Sequence, residues 1–131
     1  MSSTAETFEL TREQAEFYEA RFVPALFAEW APLLVDAAAV CPGSSVLDVA
    51  CGTGVVARTA AARVGEEGRV VGVDRSQGML EVAGQLAPQA QFRLADAEQL
   101  PFEDGSFDMV LCQAGLMFFS DPAPRWRRWP A

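Results

Sequence analysis

The sequence contains no histidine and no lysine, and these absences limit both its chemistry and its partners. Without histidine, mechanisms that need an imidazole base or a Cys–His pair are excluded within this chain. Its ten basic residues, all arginine, are outnumbered by 18 acidic ones, which gives a formal net charge of −8. Because nucleic-acid binding requires clustered basic side chains on phosphates, this composition argues against a nucleic-acid partner.

Cysteine is scarce, and long apolar runs are missing. Cys41, Cys51 and Cys112 are odd in number and lack CxxC spacing, which favours a reducing compartment over a disulfide framework. No run approaches the roughly 20 apolar residues of a membrane span. The first residues also lack the basic start and apolar core of a signal peptide. We therefore expect a cytoplasmic protein without a membrane span.

The 131 residues suffice for one domain, which we divide into three regions. Residues 1–40 are predicted to be helical and to belong to the same domain as the core. Within them, Thr11 and Gln14 have the spacing of a capping box. A second helix is predicted over 25–40, with a kink or break at Pro32. Its predicted apolar positions are Leu26, Phe27, Trp30, Leu33 and Leu34.

Residues 41–120 are the predicted core, in which apolar runs alternate with helix-like segments. Strands are predicted at 45–49, 69–74, 91–94 and 107–112, and helices at 55–64 and 76–86. This alternation predicts an α/β fold, a parallel sheet with helices on both faces.

A glycine loop follows the first predicted strand. Gly52 and Gly54 lack a Cβ, so a ligand can approach the N–H groups of this loop closely. The spacing fits the dinucleotide pattern G-x-G-x-x-A, and Asp74 ends the second strand where a ribose-binding acid belongs. S-adenosylmethionine also carries a ribose diol, so the same acid serves either ligand.

Asp48 distinguishes between these two candidate ligands. It stands in an otherwise apolar strand four residues before Gly52, and a buried carboxylate is costly unless it is paired or hydrogen-bonded. The anion would repel a pyrophosphate, whereas it would attract the sulfonium and ammonium groups of S-adenosylmethionine. A second interpretation, compatible with the first, is that Asp48 ties down the loop by accepting backbone N–H bonds.

The segment VLDVACGTG (46–54) closely resembles the first motif of class I S-adenosylmethionine-dependent methyltransferases, in the ubiquinone/menaquinone C-methyltransferase-like (type 11) group. The resemblance covers about residues 40–120 and implies a Rossmann-like fold with seven strands in the order 3-2-1-4-5-7-6, of which this chain holds the first four. Further matching segments are GVD (72–74), GML (78–80), DA (96–97), LPF (100–102) and SFD (106–108).

The resemblance implies roles for residues around the loop. Gly52 and Gly54 would admit the methionine part of the cofactor, Asp48 would hold it partly through water, and Asp74 would accept both ribose hydroxyls. Gln113 would line the pocket near the transferred methyl group. The alternatives are a strand-end cap for Asp74 and an ordinary helix start for Gln113. The full predicted cofactor set is Asp48, Ala50, Gly52, Gly54, Asp74, Arg75, Met79, Asp96, Ala97 and Gln113.

The resemblance also implies an adenine site. The segment around Met79 would flank the ring, Asp96 would bond the adenine amino group, and the Ala97 N–H would bond a ring nitrogen. The alternatives are a core position for Met79 and a strand-end cap for Asp96. Cys51 is interpreted as a small loop residue, because it has no partner base.

No catalytic or metal-ligating residue is predicted. Methyl transfer is a displacement on a sulfonium whose leaving group is already activated, so positioning and electrostatics suffice. The predicted function is S-adenosylmethionine-dependent methyl transfer to an unidentified small molecule. The alternatives are a non-catalytic S-adenosylmethionine-binding or partner-binding fragment and an NAD-dependent oxidoreductase fragment.

The end of the chain departs from the family pattern. Residues 121–131 hold two Trp, three Arg and three Pro, and we interpret this tail as a frameshift product that the DNA sequence would test. Truncation after the fourth strand predicts an exposed strand edge and self-association through it. Four N-terminal aromatics are predicted to pack in the core, with a lid over a small substrate as the alternative: Phe17, Tyr18, Phe22 and Trp30.

Overall fold

The computed structural model describes residues 10–97, 99–103 and 105–113. Its helices are α1 (Arg12–Phe22), α2 (Trp30–Ala37), α3 (Val55–Val64) and α4 (Gln77–Leu86), with a π-helical turn at Val23–Phe27. Its strands are β1 (Ser45–Val49), β2 (Arg69–Asp74), β3 (Gln91–Leu94) and β4 (Met109–Leu111). None of these helices has the length and apolar character needed to cross a membrane. The predicted tail, 121–131, lies outside the described residues.

The four strands form one parallel sheet in the order β3-β2-β1-β4. This arrangement confirms the predicted Rossmann-like α/β class and the first half of the predicted strand order. The chain runs from β1 to β2 and β3 on one side and places β4 on the other. The carboxyl end of β1 is therefore the topological switch point, where open α/β sheets bind their ligands.

The two faces of the sheet carry separate cores. Val46 and Val70 face the small and branched residues of α2 and α3, such as Val35 and Ala57. Leu47 and its neighbours on the other face pack against residues of the segment that follows β3, including buried Phe107. The alternation of Val46 and Leu47 between faces follows from the two-residue period of a strand, and it leaves Asp48 on the helix-covered face.

The predicted bounds of the first three strands are confirmed, whereas the fourth strand is shorter than predicted. Phe107 stands before β4, buried edge-to-face against Phe102 at a centroid distance of 5.1 Å. The Asp108 carboxylate accepts the N–H of Ser45 at 2.8 Å, so this residue ties the start of β1 to the start of β4. Phe107 and Asp108 thus precede the paired residues of β4 and do not belong to the strand.

The helix predicted over 25–40 is broken, but the break comes before Pro32 and not at it. A π-helical turn ends at Phe27, and α2 begins at Trp30, so Pro32 is the third residue of a new helix. A proline is tolerated there because the first N–H groups of a helix have no intrahelical acceptor. The buried positions of α2 are Ala31 and Val35.

The large apolar residues of this region face outward, contrary to the prediction. The exposed fractions are 54% for Leu26, 61% for Trp30 and 56% for Leu33. Phe17 and Phe22 are also exposed, by 57% and 46%, so core packing is wrong for these two and for Trp30. The small side chains of α2 contact α3 instead, because they allow the two helices to approach closely.

The start of α1 is anchored on α4. The predicted capping box is present, since Thr11 Oγ1 accepts the N–H of Gln14 at 3.1 Å and Gln14 Oε1 accepts the N–H of Thr11 at 3.0 Å. Ser76, the N-cap of α4, accepts the N–H of Leu10 at 3.1 Å and donates to its carbonyl at 3.0 Å. Gly78 provides the surface for this contact, and α1 consequently lies beside the glycine loop.

Candidate functional site

The loop after β1 has an unusual backbone. Gly52 has φ +58° and Gly54 has φ +86°, and Ala50 adopts φ +56° although it carries a Cβ. A non-glycine residue in this left-handed region is uncommon, and such strain concentrates at functional sites. A Cβ on Gly54 would also lie 3.3 Å from Ala83 and from the Phe92 ring. The positive φ of both residues favours glycine, and at Gly54 a Cβ would be crowded as well.

Asp74 joins this loop to the start of α4. Its Oδ2 accepts the N–H of Gly52 at 2.9 Å, and its Oδ1 accepts the N–H of Ser76 at 2.9 Å. Burial raises the pKa of Asp74, and these two N–H groups partly oppose that rise. The carboxylate thus acts as a strand-end cap, which was the alternative interpretation of Asp74. Its contact with a ribose stays a prediction.

Asp48 is the most unusual charge of the site. It is 2% exposed, and the backbone N–H of Ala57 in α3 bonds to it. Its Oδ2 has no hydrogen-bond partner among the described residues. Burial raises the pKa of Asp48 to about 8, against the opposing effect of the Ala57 N–H. A group that could supply positive charge or an N–H at Oδ2 would favour the ionised form.

Gln113 presents a second acceptor without a donor. Its Nε2 donates to the carbonyl of Phe27 at 3.5 Å, whereas its Oε1 is buried and has no partner among the described residues. Asp48 and Gln113 line the same cavity of about 20 Å³, which admits about one water molecule. The other residues that line it are Tyr18, Phe27, Ala50, Cys51, Val55 and Val56.

Tyr18 and Phe27 are site residues that our sequence-based set did not include. The Cε1 and OH of Tyr18 lie 3.8 and 3.9 Å from the position that a Cβ on Gly52 would occupy. The Tyr18 ring also packs on Phe27 at a centroid distance of 5.8 Å. Burial, followed by the charges of Asp74 and Glu19, raises the pKa of Tyr18 to about 12. The phenol is therefore neutral and acts here as an aromatic cover.

The predicted adenine residues lie apart from the cavity. Met79 is buried between α1 and α4 with Ala15 and Val82, so the core interpretation describes its present surroundings. Arg75 pairs with Asp96 at 3.9 Å, and Ala97 packs beside the second core of the sheet. Their contact with an adenine ring stays a prediction.

Cys51 fits its interpretation as a small loop residue. It is 7% exposed, and burial raises the pKa of its thiol well above the ordinary value. A thiol of this kind is a poor nucleophile, because the thiolate is the reactive form.

The comparisons with known proteins decide the family. A family model described as a methyltransferase domain matches residues 46–128. The chain belongs to this methyltransferase family. This confirms the class that the motifs of the first and second strands predicted. Nothing in the comparisons supports the NAD-dependent alternative.

Two relatives of this methyltransferase domain are named as methyltransferases of quinones. The chain is 43% identical over 94 residues to the demethylmenaquinone methyltransferase of Renibacterium salmoninarum, with 71% of this chain and 38% of that protein covered. It is 42% identical over 93 residues to the 2-phytyl-1,4-naphtoquinone methyltransferase of Synechococcus elongatus, with 66% and 40% covered. The chain therefore spans about two fifths of the length of these relatives.

A solved structure shows the same similarity. The arsenic(III) S-adenosylmethionine methyltransferase CrArsM from Chlamydomonas reinhardtii is 32% identical to this chain, with a TM-score of 0.57. The match covers 63% of this chain and 33% of that one.

Proposed function

We propose that this methyltransferase domain binds S-adenosylmethionine and donates its methyl group to a small-molecule acceptor. The observation that carries the proposal is a pair of buried acceptor oxygens beside the glycine loop, Asp48 Oδ2 and Gln113 Oε1, for which the described part of the chain supplies no donor. The ammonium and sulfonium groups of S-adenosylmethionine supply the missing hydrogen-bond donors and positive charge. A pyrophosphate supplies neither, and Asp48 would repel it.

The residues of the site have distinct proposed roles. Asp48 and Gln113 hold the amino-acid end, while Tyr18 and Phe27 keep water from the sulfonium. Asp74 already accepts two backbone N–H bonds, and its remaining lone-pair capacity is available to a ribose hydroxyl. When bound, the cofactor supplies a methyl group on an activated sulfonium, so these residues need only orient and desolvate it.

The outer part of the proposed site holds adenine. Met79, Arg75, Asp96 and Ala97 remain our proposed contacts for this ring. Arg75 and Asp96 face each other at the ends of β2 and β3, and both are about two fifths exposed and so within reach of a ligand.

We also propose a quinone-like acceptor, because the two relatives named above act, by their names, on demethylmenaquinone and on 2-phytyl-1,4-naphtoquinone. A cytoplasmic location is proposed from the cysteines, since Cys41 and Cys51 are free thiols, as expected in a reducing compartment.

Titration calorimetry tests the cofactor. We expect S-adenosylmethionine and S-adenosylhomocysteine to bind and NAD not to bind. Binding of NAD, or of none of the three, would overturn the proposal. A methyl-transfer assay with a demethylated naphthoquinone then distinguishes an enzyme from a cofactor-binding fragment.

We further propose self-association through β4. β4 pairs with β1, and within the described residues no strand lies along its other edge, which would suit it to pair with a second chain. Sedimentation velocity should show dimers or larger species whose fraction rises with protein concentration. A protein that stays monomeric across the accessible concentration range, and that unfolds cooperatively at high temperature, would contradict this prediction.

A further inference from the structure

Glu19 on α1 binds two groups of the glycine-loop region. Its Oε1 accepts the hydroxyl of Thr53 at 2.6 Å, and its carboxylate pairs with Arg58 of α3 at 3.1 Å. Arg58 completes the triangle, since its Nη1 also donates to the carbonyl of Thr53 at 3.0 Å. We call these three residues the latch. Thr53 is 1% exposed and lies between the two glycines with positive φ.

The latch is better shielded from solvent than the other ion pairs of the described residues. The side chains of Glu19 and Arg58 are each 24% exposed, whereas each partner in the other pairs is exposed by 37% or more. Ion pairs gain strength as water is removed, because screening by solvent and salt decreases. Of these pairs, the latch is therefore the one expected to hold its helix in place most firmly.

The latch holds the part of α1 that carries Tyr18. Tyr18 precedes Glu19 on α1, and its ring covers Gly52 and lines the cavity beside Asp48. With α1 in this position the cavity measures about 20 Å³. The amino-acid end of S-adenosylmethionine, which we place beside Asp48 and Gln113, is several times larger than the one water molecule that this volume admits. With Tyr18 in this position the cavity therefore cannot take that end of the cofactor, although the loop and Asp48 are already in place.

We propose that Glu19 is a positioning residue that holds α1 closed over the cofactor site, so that the latch must open before S-adenosylmethionine enters. This proposal rests on the proposed function. Because only the open fraction of molecules binds, the apparent dissociation constant equals the intrinsic one divided by that fraction. A weaker latch therefore raises the association rate and tightens apparent binding.

Hydrogen exchange without ligand tests the latch itself. We expect Glu19→Gln and Thr53→Val to raise amide exchange in α1 by about tenfold, which corresponds to the loss of one shielded ion pair or hydrogen bond. The matched control is Asp36→Asn, which breaks the pair between Asp36 of α2 and Arg63 at the far end of α3. Unchanged exchange in both latch variants would overturn the proposal, whatever ligand the site takes.

Stopped-flow binding of S-adenosylmethionine tests the consequence. The two latch variants should bind about fivefold to tenfold faster than the wild type, with Asp36→Asn within about twofold of it. An unchanged association rate with faster dissociation would overturn the proposal, because α1 would then act only on cofactor that is already bound and would not bar its entry. If neither the wild type nor the variants bind, while exchange still rises as expected, then the proposed function fails and the latch stands.

A charge exchange provides the rescue. The double variant Glu19→Arg with Arg58→Glu reverses the ion pair but loses both hydrogen bonds to Thr53, so it should return exchange and association part of the way to wild-type values. The single variants should not. If the double variant behaves like the sum of the two singles, the coupling that defines the latch is absent.

Discussion

Replacement of Asp48 by Asn is expected to weaken binding of S-adenosylmethionine by about 100-fold, because it removes the buried charge that pairs with the ligand's cationic groups. The amide keeps an oxygen that can accept the Ala57 N–H, so the first turn of α3 should not change. Titration calorimetry at neutral to slightly alkaline pH measures the loss. Binding within about threefold of the wild type would remove Asp48 from the site.

The same replacement is expected to stabilise the fold above acidic pH. Burial raises the folded-state pKa of Asp48 from 3.8 to about 8, so the folded state binds the extra proton between these values. The free energy of unfolding therefore falls as pH rises through this window, at up to about 1.4 kcal/mol per pH unit from this group. Below the window both states are protonated, and the penalty is absent.

Urea unfolding of the wild type and Asp48→Asn from about pH 4 to about pH 9 separates this contribution from others. We expect the wild type to lose stability with rising pH and the variant to lose less. Asp74, whose pKa is also raised by burial, contributes to the slope in both proteins. Asp36→Asn, on an exposed carboxylate, serves as the control for a change of one charge. Parallel curves for the wild type and Asp48→Asn would contradict the prediction.

The second large effect is expected at Gly78 of α4. A Cβ there would lie 2.4 Å from the Leu10 carbonyl oxygen and 2.4 Å from the Thr11 carbonyl carbon. These are backbone atoms, so no side chain can rotate to make room. Gly78→Ala should therefore destabilise the fold by about 3 kcal/mol, at the upper end of overpacking effects. The strain should be relieved by displacement of the start of α1.

Gly84 provides a matched control in the same helix. Apart from its chain neighbours and the backbone of its own helix, no atom of the described residues lies within 4 Å of the position that its Cβ would occupy. Alanine is the better helix former, so Gly84→Ala should stabilise the fold by about 0.5–1 kcal/mol. Urea unfolding of the two variants should consequently shift in opposite directions. Equal stability of the two would show that α1 does not pack on α4 through Gly78.

The first three strands and the glycine loop could be predicted from local sequence. Branched apolar runs at 45–49 and 69–74 are typical of buried parallel strands, and both have the predicted bounds. The two glycines with positive φ and the carboxylate of Asp48 stand within seven residues of one another. Such features are predictable because backbone conformation, strand period and the cost of burying a charge act over a few residues.

The N-terminal region could not be predicted in the same way. Leu26, Trp30 and Leu33 are more hydrophobic than Ala31, yet Ala31 is the buried residue. Which side chains of α2 are buried depends on how closely α2 approaches α3. The pattern of apolar residues along one helix does not predict that distance. Hydrophobicity indicates which residues favour burial, but the partner helix decides which face is covered.

The sequence sufficed to predict the methyltransferase family, the parallel sheet and a glycine loop next to a buried carboxylate. How that loop is covered depends on tertiary packing. Glu19 meets Thr53 across 34 residues, and Gln113 meets Phe27 across 86. These contacts depend on the packing of α1 against α4 and on the position of β4 beside β1. No local pattern encodes them, because each side chain acquires its role only when distant segments are brought together.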